Sequence, residues 1–245
     1  MGKLTIPTHA PKDLSKEDIK DETKHLLKKL KELQKILYAQ GKYSVLIILQ
    51  GLDASGKDGL VNKVFNGLNP LGVDVKAFKA PTKEELQYDF LWRVHKHVPP
   101  KGLIMIFNRS HYEDVLVPVV EKFIDDETKI YRFRHINNFE SLLQETNTIV
   151  LKFYLHISQE EQTERLNERK TNPEKYWKHN DGDWDTRKKW NLYQIAYEDV
   201  FRHCNAPEWN IIPSDENWYK EYLVAKKLVE TLEALDLQYP KNPHI

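Results

Sequence analysis

Cysteine is almost absent from the sequence, since Cys204 is the single one among 245 residues. This excludes an internal disulfide framework and a zinc site built from cysteines. No apolar run reaches the roughly 18 residues that a membrane-spanning helix needs, and the polar segment 1–20 shows no hydrophobic signal sequence. Net charge is absent as well, because 37 basic and 37 acidic side chains cancel, which disfavours a general nucleic-acid coat. We therefore expect a cytoplasmic protein with a sizeable core and with neither a membrane nor a nucleic-acid partner.

Short apolar runs alternate with helical patterns along the chain. The runs are typical of strands buried on both faces, and they cover residues 43–49, 73–78, 103–107, 149–155 and 209–212. Helical periodicity lies between and after them, at residues 59–68, 83–98, 138–145, 159–168 and 218–235. This alternation predicts a single α/β domain over residues 1–245, with a parallel five-stranded sheet flanked by helices.

A long amphipathic helix precedes the first strand. Ser15 and Asp18 predict its N-terminal cap, leucines recur at spacings of four, three and four from residue 26 to residue 37, and Gly41 predicts its end. The helical extension 1–41 either packs on the domain surface or forms the seam of a dimer, and its heptads are too few for a coiled coil.

The segment between the fourth and fifth strands is too long and too polar for a simple crossover helix. Its middle, residues 172–182, contains an Asn-Pro and an Asp-Gly pair, which predict a loop. We therefore expect a helical insertion over the sheet edge, at residues 159–200, that serves as a lid.

The most informative segment follows the first strand and opens a helix. It reads GLDASGKDG, and we name residues 51–59 the phosphate loop. In a G-x-x-x-x-G-K pattern, glycines let successive amides point at phosphate oxygens, and the lysine adds a mobile positive charge. The alternative is a plain strand-to-helix turn. The predicted phosphate- or nucleotide-binding residues are Gly51, Ala54, Ser55, Gly56, Asp58 and Gly59 of the loop, together with Asn108 at the end of the third predicted strand.

The phosphate loop departs from the usual pattern at two positions. Asp58 replaces the Ser or Thr that ordinarily binds magnesium through its hydroxyl group. Asp53 places a carboxylate where a bare phosphate would be repelled, so we expect it to face a metal ion or a nucleophile. The alternative is that Asp53 caps the backbone of the loop.

Polar side chains also follow the third predicted strand. Asn108 stands where phosphate-loop enzymes usually carry a magnesium-binding acid, and Arg109, Glu113 and Asp114 come soon after it. Arg109 can hold a phosphate with two hydrogen bonds, and Glu113 can supply the missing carboxylate from the next turn. Parallel sheets bind ligands at this end of their strands, which favours a site over a surface charge cluster.

Basic residues are concentrated in two segments, 76–101 and 165–189. Such runs are often only solvated faces, but here they accompany a phosphate loop in a chain without net charge, which suggests a ligand with many phosphates. We predict that Lys79, Arg93, Lys96 and His97 form a track for such a ligand, the last three from adjacent turns of one helix. Aromatic residues among the later basic residues either stack a base or anchor the insertion.

Four separated segments resemble the family-2 polyphosphate kinases. They are GLDASGKDG, FKAPTKEEL with FLWR close behind it, IFNRSHYEDVLV and RLNERKTNPEKYWK, and the order agrees from residue 14 to residue 240. The resemblance implies a phosphate-loop kinase fold like that of thymidylate kinases, with a helical lid. It also implies transfer of phosphoryl groups between inorganic polyphosphate and nucleotides with Mg2+, and a homo-oligomer, either a dimer or a tetramer.

The resemblance also suggests catalytic roles. Asp53 and Lys57 are similar to the loop acid and the phosphate-binding lysine, Arg109 to the arginine after the second strand end, and Arg169 to a lid arginine. Most relatives have Asp where this sequence has Asn108. Asn108 with Glu113 resembles the subgroup that phosphorylates both nucleoside mono- and diphosphates, and it makes Glu113, with Asp53, the expected metal ligand.

The function expected from these residues is transfer of the terminal phosphoryl group of polyphosphate to AMP or ADP, or to GMP or GDP, and back. Asp53, Lys57, Arg109, Glu113 and Arg169 are the predicted catalytic residues. Two other classes compete with this function. A nucleotide-donor kinase of similar fold would not need a long basic track, and a non-catalytic nucleotide or nucleic-acid binder would transfer no phosphate.

Overall fold

The computed structural model describes residues 2–241, so the predicted domain boundaries at residues 1 and 245 lie outside the described residues. Its sheet is formed by β1 (Ser44–Gln50), β2 (Val73–Ala77), β3 (Ile104–Asn108), β4 (Thr148–His156) and β5 (Trp209–Pro213). The strands are parallel and lie in the order β2-β3-β1-β4-β5. All five predicted strands are confirmed. β1 and β4 are buried almost throughout, as their apolar runs predict, whereas β2 is an edge strand with mostly exposed residues and is not buried on both faces.

Helices pack on both sides of this sheet. Their bounds are α1 (Lys16–Gln40), α2 (Lys57–Val64), α3 (Trp92–His95), α4 (Glu113–Val120), α5 (Asp126–Glu145), α6 (Gln159–Thr171), α7 (Gly182–Lys188), α8 (Trp190–His203) and α9 (Asn217–Glu233). One face of the sheet packs against α1, α2 and α9, and the other packs against α4, α5 and α8. Within residues 2–241, no helix has both the length and the apolar character needed to cross a membrane.

The predicted caps of the first helix are confirmed. The Ser15 side chain accepts from the Asp18 amide, the Asp18 side chain accepts from the Ser15 amide, and Gly41 ends the helix at a φ of 62°. The buried side of α1, which includes Leu30 and Leu37, packs against α9 within the same chain. This contact agrees with the surface-packing alternative for the extension.

The predicted helix at residues 83–98 is wrong. The segment holds only a short 3-10 turn, Glu85–Gln87, and the single turn α3. The Asp89 carboxylate accepts from the Leu91 amide at 2.9 Å, and this local hydrogen bond competes with a continuous helix. Arg93, Lys96 and His97 therefore do not lie on adjacent turns of one helix.

Two other helices differ from the sequence prediction. The helix expected at residues 138–145 begins earlier, where Asp125 accepts from the Thr128 amide at 2.8 Å. Its first half is mostly exposed and contributes only Phe133 to the core, so its apolar periodicity is weak there. Helix α4 was not predicted, because Pro118 lies inside it and its apolar residues form one short run.

The insertion connects β4 to β5 and comprises α6, a 3-10 turn at Pro173–Lys178, α7 and the start of α8. β4 lies directly beside β1 in the sheet, so α6 starts next to the phosphate loop rather than at a free edge. The predicted break at residues 172–182 corresponds to the 3-10 turn and to the short connection before α7.

Candidate active site

The phosphate loop lies at the carboxyl end of β1, next to the end of β3. Leu49 pairs with Asn108 across the two strands, and the Arg109 amide donates to the Leu49 carbonyl at 3.0 Å. This pairing brings the two polar segments predicted from sequence into one site, as expected for neighbouring parallel strands.

Backbone conformation explains why the loop is rich in glycine. Gly51 has a φ of 148°, and a Cβ there would lie 2.8 Å from the Leu155 carbonyl oxygen. Gly56 has a φ of 94° and begins α2 as its N-cap. Ala54 adopts a φ of 62° although it carries a Cβ, a costly conformation of the kind found at functional sites.

Lys57 lies in the first turn of α2 with only 8% of its surface exposed. Its Nζ donates to the Gly51 carbonyl at 2.7 Å and to the Leu52 carbonyl at 3.2 Å. Burial, together with the charge of Arg109, lowers the pKa of Lys57 to about 8. Lys57 therefore sits at the base of the loop, where an anion would favour its charged form.

Arg109 is the centre of the charged cluster. Its guanidinium group donates to Asp53 Oδ1 at 2.5 Å and to Glu113 Oε2 at 3.4 Å. Burial lowers the pKa of Arg109, but the charges of Glu113 and Asp53 outweigh burial and raise it overall. Arg109 also has a φ of 63°, a strained backbone conformation of the kind found at functional sites.

Glu113 is the first residue of α4 and is half-buried. Burial raises the pKa of its carboxyl group, and the charges of Arg109 and Lys57 offset part of that rise. With its amide nitrogen turned toward the site, Gln50 donates to Glu113 Oε1 at 3.0 Å. Glu113 thus reaches the same guanidinium group as Asp53 from the neighbouring strand end.

The remaining loop residues have different surroundings. Asn108 Nδ2 donates to Asp58 Oδ1 at 2.7 Å, and Lys178 of the insertion lies 3.6 Å from the other oxygen of Asp58. Ser55 is fully buried, and its Oγ lies 3.5 Å from the Lys57 Nζ. Gly59 is exposed, and a Cβ there would meet nothing within 4 Å.

The insertion contributes Arg169 and an acid that the sequence analysis missed. Arg169 donates to Asp183 Oδ2 at 2.6 Å and to the Lys178 carbonyl at 3.2 Å. Burial and the nearby Asp53 charge raise the pKa of Asp183. Asp183 therefore faces the same cavity as Asp53, and the ion pair with Arg169 joins α6 to α7 above it.

The four predicted track residues separate into two groups. Lys79 and Lys96 are exposed, and the Lys96 ammonium group lies over the Trp92 ring. Arg93 is 5% exposed and is bound by Asp114 at 3.1 Å and by the Lys79 carbonyl at 2.8 Å. Burial, together with the charge of Lys76, lowers the pKa of His97, which disfavours the charged form of this ring.

A cleft of about 1410 Å³ joins these groups. It is lined by the phosphate loop, the end of β3 and the inner side of the insertion, and also by Lys79, Arg93, Phe123 and Arg132. Lys96 and His97 lie outside this lining. Cavities for single drug-sized ligands reach roughly 1,000 Å³, so the cleft is larger than one such ligand needs.

The carboxylates of the cleft suit a hard divalent cation. Mg2+ is usually held by one or two carboxylates together with substrate phosphates and water. Asp53 and Glu113 supply two carboxylates at one point of the cleft, on either side of Arg109. No cluster of three acids, histidines or cysteines suited to a metal occurs in the described part of the chain. The donor set therefore fits a cation that binds together with a phosphate chain.

Comparison with known proteins assigns the family. A family model described as Polyphosphate kinase 2 matches residues 13–240. The AMP/ADP-polyphosphate phosphotransferase of Meiothermus ruber is 51% identical over 88% of this chain and 82% of that protein. The ADP-polyphosphate phosphotransferase of Rhodopseudomonas palustris is 36% identical over 93% of this chain and 84% of that protein.

The chain belongs to the polyphosphate kinase 2 family.

The crystal structure of Polyphosphate Kinase 2 from Arthrobacter aurescens TC1 superposes with a TM-score of 0.94. It shares 36% identity, and the match covers 99% of this chain and 89% of that one. The predicted family, the phosphate-loop kinase fold and the assignment as an enzyme are therefore confirmed. Enzymes of this type transfer phosphoryl groups, a reaction that relies on a divalent metal ion.

Sequence reasoning missed several groups that shape this polyphosphate kinase site. Asp183 lies in a polar stretch that contains three acids, and nothing in their spacing distinguishes it. Arg132 enters the cleft from α5, far from any motif, and donates to the Asp114 carbonyl at 2.6 Å. Lys220 had a signal, because it occupies the stripe of α9 that continues through the buried Val224 and Leu228.

Proposed function

We propose that this polyphosphate kinase transfers the terminal phosphoryl group of inorganic polyphosphate to AMP and to ADP, and that it runs in reverse when ATP is in excess. The relative from Meiothermus ruber is named for both acceptors, and it is 51% identical to this chain. Other relatives are named for ADP or for GDP, so guanine nucleotides belong to the same proposal.

The observation that carries this proposal is the arrangement of charge in the cleft. Lys57 and Arg109 lie at the end of the sheet, and Arg169 faces them from the insertion. Asp53 and Glu113 hold Arg109 between them, so the guanidinium group is oriented before any substrate binds. Preorganised positive groups of this kind stabilise charge that develops during phosphoryl transfer.

The acceptor needs little activation. A terminal phosphate oxygen of AMP or ADP attacks the terminal phosphorus of polyphosphate, and the bond to the bridging oxygen of the next phosphate breaks. The attacking oxygen is already anionic at neutral pH, so no strong base is required, and positioning together with charge neutralisation accounts for catalysis. Lys57, Arg109 and Arg169 are the proposed neutralising groups.

Mg2+ is the proposed metal of this site, held by Asp53 and Glu113. When bound, it would neutralise the negative charge of the reacting phosphates. These two acids then serve both the metal and Arg109. Asn108 carries no charge and donates to Asp58, so its proposed role is to position the loop.

The donor tail is proposed to leave the cleft past Lys79, which is exposed at the cleft wall. Lys96 can extend this path, because it is also exposed and belongs to the same connection after β2. The proposed contributions of Arg93 and His97 are smaller, since Asp114 binds Arg93 and burial lowers the pKa of His97. The lid role of residues 159–200 and the homo-oligomer also remain predictions.

Assays with polyphosphate as the only phosphate donor test the proposal. Either AMP or ADP is supplied with Mg2+, and the nucleotides are separated by chromatography over time. ADP and ATP should form from AMP, and ATP should form from ADP, whereas the Lys57→Ala variant should form both far more slowly. Transfer from ATP or GTP to AMP without any transfer from polyphosphate would instead identify a nucleotide-donor kinase.

A further inference from the structure

Three consecutive carbonyl groups of the phosphate loop are held by side chains from other elements. Gln162 of α6 donates to the Asp53 carbonyl at 2.9 Å, and Arg165 of α6 donates to the Ala54 carbonyl at 3.1 Å. Lys220 of α9 donates to the Ser55 carbonyl at 3.2 Å. The orientation of the loop backbone therefore depends on groups outside the loop.

Peptide geometry converts these contacts into a prediction about amides. In a trans peptide unit, the carbonyl of one residue and the amide of the next point in opposite directions. The Ser55 carbonyl is turned toward Lys220, which does not line the cleft, so the Gly56 amide is turned the other way. No acceptor for the Gly56 amide occurs within residues 2–241, which leaves it available to an anion.

Lys220 is unusual among the lysines of this chain. It is 1% exposed, and its Nζ contacts the Ser55 carbonyl and, at 2.9 Å, Asn217 Oδ1. No carboxylate of the described residues lies within ion-pair distance of this nitrogen. Burial, together with the charge of Arg165, lowers the pKa of Lys220 to about 7. A buried cation without an acidic partner is unfavourable for folding, so its place behind the loop calls for another explanation.

The fit between Lys220 and the loop is close. A Cβ on Gly56 would lie 2.3 Å from Lys220 Nζ and 3.3 Å from a nitrogen of Arg165. Any larger residue at position 56 would therefore displace the lysine, the arginine or the loop. The absence of a side chain at Gly56 lets both cations approach the loop from behind.

We propose that Lys220 is a positioning residue of the phosphate loop, which fixes the Ser55 carbonyl from behind and thereby directs the Gly56 amide at a bound phosphate chain. A bound phosphate chain favours the protonated form of Lys220, which then adds to the positive potential at the loop without touching the substrate. The inference rests on the proposed function, because the anion to be held is polyphosphate.

The test compares Lys220→Met, Lys220→Arg and a control, Lys226→Met, on a different, partly exposed face of the same helix. Binding of tripolyphosphate in a magnesium-containing buffer is measured by calorimetry, and the melting temperature is measured without ligand. Lys220→Met should weaken binding about tenfold or more, as for loss of a hydrogen bond from a charged group. Lys220→Arg should restore most of the affinity, and Lys226→Met should change it by less than about twofold.

The melting temperature separates positioning from a merely structural role. Because Lys220 is a buried cation without an acid, Lys220→Met should keep the melting temperature within about 3 °C of wild type, or raise it. A fall in stability and affinity together, without rescue by Lys220→Arg, would overturn the inference. So would a Lys220→Met variant that binds tripolyphosphate as tightly as wild type.

If Lys220→Met does not fold, Lys220→Gln replaces it under the same criteria, because its amide satisfies polar surroundings without the charge. If the wild-type protein does not bind tripolyphosphate at all, the proposed function fails together with this inference. Wild-type binding with an unchanged Lys220 variant overturns the inference alone.

Discussion

Replacing Asp53 by asparagine tests the role of the loop acid most sharply. The substitution keeps the shape of the side chain and removes one negative charge from the cleft. It breaks the ion pair in which Arg109 donates to Asp53 at 2.5 Å, and it leaves the guanidinium group with Glu113 at 3.4 Å. It also removes one of the two carboxylates proposed to hold magnesium.

The size of the effect follows from the geometry. Two unit charges about 4 Å apart interact by about 4 kcal/mol at the effective dielectric constant of a protein surface. The Arg109 side chain is 39% exposed, so solvent screening reduces this to about 2 kcal/mol. If that energy orients Arg109 in the transition state, turnover should fall about 30-fold. Binding of polyphosphate should not weaken, because the lost charge repels phosphates.

Steady-state kinetics with varied polyphosphate and saturating ADP measure both quantities. The Asp53→Asn variant should show a lower kcat, an unchanged or lower KM for polyphosphate, and a higher magnesium requirement. The matched control is Asp74→Asn on the exposed edge strand β2, which should behave as wild type. A raised KM with unchanged kcat would refute this reasoning and would mean that Asp53 only caps the loop backbone.

The remaining predictions concern three other groups. Lys57→Ala should remove about 2–4 kcal/mol of transition-state stabilisation, measured as a fall in kcat/KM in the same assay. Activity within about threefold of wild type would contradict the role of Lys57. The pKa of Lys57 is lowered to about 8, so its charged form is lost above that pH. We therefore expect kcat/KM to fall between pH 8 and pH 9. The Lys57→Arg variant should lack this fall. Arg169→Ala breaks the ion pair with Asp183. It should lower the rate of a single turnover more than it lowers the affinity for the nucleotide. A defect in binding alone would mean that Arg169 binds substrate and does not act in the chemical step. Glu140→Leu leaves the buried Lys152 without its partner at 2.7 Å and should lower the free energy of unfolding in urea by about 3–5 kcal/mol, with recovery when Lys152→Met is added.

The strands β1 and β4 were predictable because their sequence signal and their environment agree. Ser44–Gln50 is buried along its whole length, as is nearly all of Thr148–His156. A parallel strand covered on both faces needs a continuous apolar run, and such a run is visible without any knowledge of its partners. The pairing of Leu49 with Asn108 then brings together two motifs that lie more than 50 residues apart.

The loop was predictable for a different reason. Phosphate binding by backbone amides requires glycine at particular positions, and the positive φ angles of Gly51 and Gly56 show that requirement. The pattern therefore reports backbone geometry directly. It does not report which groups hold that geometry from outside, so Gln162 and Arg165 left no recognisable motif.

The basic segment after β2 shows where sequence reasoning fails. Its spacing of apolar and basic residues suggested one helix with an exposed cationic face. The segment does not form that helix. Arg93 is buried in an ion pair with Asp114, and the Asp89 side chain forms a hydrogen bond with the backbone. Whether a cation is free or paired depends on acids distant in sequence, and a single sequence does not show them.

The central claim is that polyphosphate loses its terminal phosphoryl group to a nucleotide in this cleft. Phosphorus-31 NMR of one reaction containing polyphosphate, AMP and Mg2+ follows donor and acceptor together. We predict growth of the β-phosphate signal of ADP and later of the γ-phosphate signal of ATP. The internal polyphosphate signal should fall by the same amount, while the number of chain ends stays constant. Release of orthophosphate with no new nucleotide signals, or an increase in chain ends without transfer, would contradict the account.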